Sequence, residues 1–70
     1  MGKLEAQEAI SDLRKLLNDP SCDVRINATL ALGKLEAQEA ISDLRKLLND
    51  SDADVRRSAK QALDKLQELS

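Results

Sequence analysis

Three sets of residues in this chain have types and spacings that could carry chemistry. Cys22 is the one thiol, and it stands beside an expected helix start, where the helix dipole favours thiolate. A nucleophilic thiol also needs a base and an oxyanion site, but the sequence holds no His and no such motif. Cys22 therefore reads as a packing group, a partner in an intermolecular disulfide, or a labelling handle. The second set is Glu5, Glu8 and Asp12, which return as Glu36, Glu39 and Asp43. Paired acids suggest a metal or general acid–base work. At helical spacing and without His or Cys ligands they describe a solvated face, with Asp12 reaching Lys15 and Lys15 reaching Asp19. The third set is a basic strip of Arg25, Lys34, Arg56, Arg57, Lys60 and Lys65. Net charge is −2 and there is no aromatic side chain to stack on a base, which opposes a nucleic-acid partner. No enzyme activity, cofactor, metal or small-molecule substrate is expected.

The rest of the composition agrees. Charged residues make up 34% in mixed sign, which describes an ordinary soluble surface and opposes an anionic membrane as partner. A lone cysteine builds no internal disulfide. No apolar run suggests a signal peptide or membrane span, so a cytoplasmic protein is expected, and a bacterial cytosol would suit it. Seventy residues make one small domain, 1–70, near the size at which a single core barely outweighs chain entropy.

The elements that must position these residues come from one stretch. GKLEAQEAISDLRKLLND runs from Gly2 to Asp19 and again, unchanged over 18 residues, from Gly33 to Asp50. The offset is 31 residues, and Asp23-Val24-Arg25 likewise returns as Asp54-Val55-Arg56. Such a period marks a repeat architecture, and an unblemished copy points to consensus design. Repeat one spans 2–32, repeat two 33–63, and a C-terminal helix extension 64–70. Apolar residues at i, i+3, i+4 and i+7 predict a first helix from about Glu5 to Asn18, stopped by Pro20. Ser21 is the expected N-cap of a second helix carrying Val24, Ala28, Ala31, Leu32 and Leu35, and Gly33 its left-handed stop. A third helix is expected over Ala37–Asn49, then an N-cap at Asp52 and a fourth helix from Ala53 to about Leu69.

At these residues the chain resembles a known family. Asp23-Val24-Arg25, Ala28, Ala31-Leu32-Gly33-Lys34-Leu35, Glu39-Ala40-Ile41, Leu44, Leu47-Leu48 and Asp50 are similar to the short HEAT-like repeat of phycobilisome lyases. They are also similar to the artificial alphaRep proteins built from that repeat. The resemblance implies an all-α α-solenoid fragment: two HEAT-like hairpins, four helices, in a right-handed superhelical stack. Tetratricopeptide and ankyrin marks are absent. Three departures bear on function. Glu36-Ala37-Gln38 stands where the family carries Gly-Asp-Pro, so helices two and three either turn or fuse into a rod that could swap between chains. The N-terminal helix is not made polar as an end cap, whereas the last helix is, with Lys60, Gln61, Asp64 and Lys65 in place of Thr29, Leu30, Gly33 and Lys34. Two repeats are also fewer than such stacks usually need.

Two groups of site residues follow. Cys22, Ile26 and Leu30 line one face of the second helix, away from its core stripe. With Asn27 they occupy slots that the resemblance marks as variable surface positions, and their counterparts are Arg57, Ser58 and Gln61. This is a candidate interface, or else Ile26 and Leu30 pack inward on the fourth helix. Asp19, Arg25, Asp50 and Arg56 form a candidate ladder between repeats, each arginine meeting a turn carboxylate or carbonyl. The chain thus reads as a designed, non-enzymatic repeat scaffold that assembles with itself into a homo-oligomer. The alternative is a protein-binding module using the Cys22/Ile26/Leu30 face.

Overall fold

A sequence made largely of Ala, Leu, Glu, Lys, Arg and Gln favours helix almost everywhere, so the turns decide the fold. The computed structural model describes residues 2–68. Leu69 and the side chains of Leu4, Glu5 and Ala6 lie outside the described part. The elements are α1 (Gly2–Leu16), α2 (Cys22–Lys34), a 3-10 turn (Gln38–Ala40), α3 (Ile41–Leu47) and α4 (Ala53–Glu68). The described residues contain no strand. Helix α1 packs on α2, α3 on α4, and α2 on α4, giving two stacked hairpins within 37 × 26 × 15 Å. This is an all-α solenoid fragment.

The stop after α1 does not depend on Pro20. The Leu17, Asn18 and Asp19 N–H groups close the last turn on Arg14, Lys15 and Leu16, and Leu48, Asn49 and Asp50 do the same after α3, where Ser51 replaces the proline. What the two turns share is an aspartate: Asp19 accepts a hydrogen bond from the Ser21 N–H at 2.9 Å, and Asp50 from the Asp52 N–H at 2.9 Å. Such Asx turns offer the backbone an alternative to helix. The two N-caps differ. Ser21 has extended geometry but its hydroxyl makes no capping bond. Asp52 accepts from the Asp54 and Val55 N–H groups at 2.8 and 3.1 Å.

Gly33 is not a left-handed stop. It lies inside α2 with an ordinary φ, and a Cβ there would stand 3.4 Å from that of Ala62. Its small size lets α4 come close. The residue that turns the chain is Glu36, with φ 57°, a conformation costing an L-residue about 1 kcal/mol. The turn is held from outside. Ala37 is buried, and the Gln38 side chain donates from Nε2 to the Leu66 carbonyl at 2.8 Å. The hairpin therefore forms here in place of the fused rod. The expected third helix over Ala37–Asn49 begins instead as a 3-10 turn and becomes α-helical at Ile41.

Burial sorts the repeat positions into three classes. Ala28 and Leu32, with their counterparts Ala59 and Leu63, are buried in both repeats and form the interior of each hairpin. Ile10, Leu17 and Thr29 are buried in repeat one only; Ala40, Leu44, Leu47, Val55, Ser58, Ala62 and Leu66 in repeat two only. These last two classes are the two sides of the contact between repeats.

Candidate functional site

The packing leaves each repeat with a leading face toward its N-terminal neighbour and a trailing face toward its C-terminal one. Within the chain, the trailing face of repeat one meets the leading face of repeat two. The outer leading face, on repeat one, has no cover: Leu16 is 40% and Leu35 44% exposed, Ala9 is exposed, and Leu13, Val24 and Ala31 are half-buried. On the outer trailing face Leu48 is 40% exposed and Ile41 half-buried, beside the exposed Arg45, Arg56, Lys60 and Asp64.

Ion pairs cross the inner contact. Arg25 donates from Nη1 to the carbonyls of Asp19 (2.7 Å) and Pro20 (3.1 Å), and from Nη2 to Asp50 Oδ2 (3.1 Å). Its buried Nε lies 3.1 Å from Asp50 Oδ1, close enough for an ion pair but not aligned as a hydrogen bond. One repeat on, Arg56 donates to the Asp50 carbonyl at 2.6 Å and has no carboxylate partner among the described residues. Asp19, Arg25, Asp50 and Arg56 are thus brought together in one line along the turns. A second crossing pair was not expected from the sequence: Arg14 Nε binds Asp43 Oδ2 at 2.7 Å, so Arg14 rather than Lys15 is the paired cation of α1. The signal that could have found it is the 31-residue register, which sets Asp43 beside the same place on repeat two as Asp12 holds on repeat one.

The four residues of the second-helix face separate in space. Cys22 and Ile26 are half-buried against the core, whereas Asn27 and Leu30 are exposed. Leu30, 38% exposed, borders a shallow groove of about 230 Å³ between α2 and α4, lined also by Gly33, Lys34, Gln61, Ala62 and Lys65. Cys22 departs from the thiolate expectation. Loss of solvent, then the carboxylates of Asp52 and Asp23, raise its pKa, so the thiol stays protonated and is a poor nucleophile at neutral pH. Asp52 shifts the other way, lowered first by the Val55 N–H bond and then by that of Asp54.

Among the described residues, no three His, Cys, Asp or Glu side chains cluster closely enough to hold a metal ion, and no helix is long and apolar enough to cross a membrane. In the basic strip, Arg25 and Arg56 are engaged with the turns, and Arg57 lies 3.4 Å from Asp54. What the surface presents is two apolar faces with opposite charge at their rims. In comparison with known proteins, the model of the family described as HEAT repeats matches residues 1–64. No curated protein and no solved structure matches the chain.

Proposed function

The chain belongs to the HEAT-repeat family, and on that premise we propose that it is a non-enzymatic scaffold whose working partner is another copy of itself. The family supplies helical-repeat scaffolds and protein-interaction modules. One observation carries the finer reading: the leading face of repeat one leaves exposed the positions that repeat two buries, Leu16 against Leu47 and Leu35 against Leu66. A face so apolar on so small a domain is an interaction surface or an aggregation liability. The perfect 18-residue copy supports a designed origin, since natural duplicates drift at solvent-facing positions. The same reading places the chain in the cytosol, where a lone protonated thiol stays reduced.

Light scattering tests it. A defined homo-oligomer with no ligand present is the expected result; a strict monomer at every concentration contradicts it. The second reading, a module for a foreign protein partner, draws on the groove beside Leu30. It requires a monomer that assembles only when its partner is added, and a Leu30→Gln variant that no longer does so.

A further inference from the structure

We propose that a second copy of this chain docks head to tail, its leading face on the trailing face of the first. The inference rests on the self-assembly reading above and fixes its geometry. Because the two 18-residue copies are identical, the α1 surface that would receive the contact has the same residues as the α3 surface that already makes it inside the chain. Ile10 and Leu17 are buried by repeat two; Ile41 and Leu48 are the same residues, left open. Leu44 and Leu47 are covered by repeat one; Leu13 and Leu16 are the same residues, left open.

Charge agrees with this register. Inside the chain the crossing pairs are Arg14–Asp43 and Arg25–Asp50. Moved by one repeat, these become Arg45 with Asp12 and Arg56 with Asp19, where both arginines are on the trailing face and both acids on the leading face. None of the four has a side-chain ion-pair partner among the described residues. A two-fold contact would instead set acids against acids or arginines against arginines, which costs specificity and affinity. A head-to-tail contact is heterologous, so it continues from chain to chain as a ring or an open stack.

One part of the trailing face resists. Lys60 and Asp64 replace Thr29 and Gly33, at positions where the internal contact is close: the Gly33 Cβ direction points at Ala62 at 3.4 Å. The contact between chains is accordingly looser than the one within a chain, and growth is reversible and concentration-dependent. Restoring the internal residues with Lys60→Thr and Asp64→Gly should tighten association and lengthen the stack.

The test is a complementation experiment by sedimentation velocity on the full chain. Leu16→Glu blocks the leading face and Leu48→Glu the trailing face; both sites are surface leucines, so helical circular dichroism should persist. Each variant alone should associate about tenfold or more weakly than the parent, since each forces an unpaired carboxylate into the contact. Mixed, they should form a 1:1 dimer that grows no further, because one open face of each kind remains. If either variant alone associates like the parent, or if both are monomeric and the mixture gives nothing, the head-to-tail register is wrong while self-assembly stands. If the parent itself is monomeric throughout, both readings fall. Should a glutamate variant lose its helicity, Asp12→Arg and Arg45→Asp replace the pair: each alone weakens association, and the mixture restores it across the swapped ion pair. No restoration counts against the register.

Discussion

The same 18 residues live two lives in this molecule. In the first copy they form one continuous helix to Leu16; in the second they end α2, turn at Glu36, pass through a 3-10 segment and resume as α3. Burial inverts along with the backbone. Leu17 is 2% exposed and its twin Leu48 40%, whereas Leu16 is 40% exposed and its twin Leu47 7%. Local propensity is identical in the two copies, so the difference belongs to neighbours. The second copy has α2 before it and α4 across from it, with the Leu66 carbonyl holding Gln38; the first copy has neither constraint on its leading side. Tertiary packing overrides a weak local preference.

That comparison can be broken most forcefully at the leucines. Leu17→Ala and Leu47→Ala should each cost about 2–5 kcal/mol, the usual range for a buried leucine. Their sequence twins Leu48→Ala and Leu16→Ala should cost about 1 kcal/mol or less in the dilute monomer. Urea denaturation of the four variants measures this. Equal costs within each twin pair would mean that the copies share one environment.

A smaller and oppositely signed effect is expected at the turn. Glu36→Gly should stabilise by about 1 kcal/mol, because glycine takes a positive φ without strain. Glu5→Gly, the same substitution in the helical copy, should destabilise by about 0.5–1 kcal/mol. Thermal melts of both variants decide it, and effects of the same sign would contradict two backbones.

The smallest effect separates the two caps. Asp52→Ala should lower the melting temperature, and Ser21→Ala should leave it nearly unchanged, since only Asp52 bonds the first turn of its helix. The Asp52 carboxyl is held below its ordinary value, chiefly by the Val55 N–H. Its contribution is therefore full above the unfolded pKa, near 4, and is lost as pH falls through the lower folded value. In the Asp52→Ala chain the acid side of the stability profile should be flatter; an unchanged acid limb would remove Asp52 as the cause.

Much of the fold was legible in the residues. Apolar spacing marked the four helices, and the repeated Asp-Val-Arg frame set the family resemblance. The Asp52 cap followed from residue type. Three features were not legible for a common reason. Nothing local distinguishes Glu36 from Glu5, so the turn strain moved from the expected Gly33 to a residue that is helical in its other copy. Periodicity says that Leu16 and Leu17 are apolar, but not which of them has a neighbour to cover it. Arg14 finds Asp43 across the repeat contact, whereas i, i+3 and i+4 spacing looks only along one helix. The candidate site was less legible still, because exposure of a repeat face depends on which neighbour is missing rather than on the residues it carries.

The central claim is that the open leading and trailing faces of this chain are completed by other copies of it. The melting temperature as a function of protein concentration tests this most directly, because association that binds only the folded chain adds to its stability by mass action. Over a roughly hundredfold range of concentration, the account predicts a melting temperature that climbs steadily, and climbs less in the Leu16→Glu variant. A melting temperature that stays flat for the parent chain across that range would contradict it.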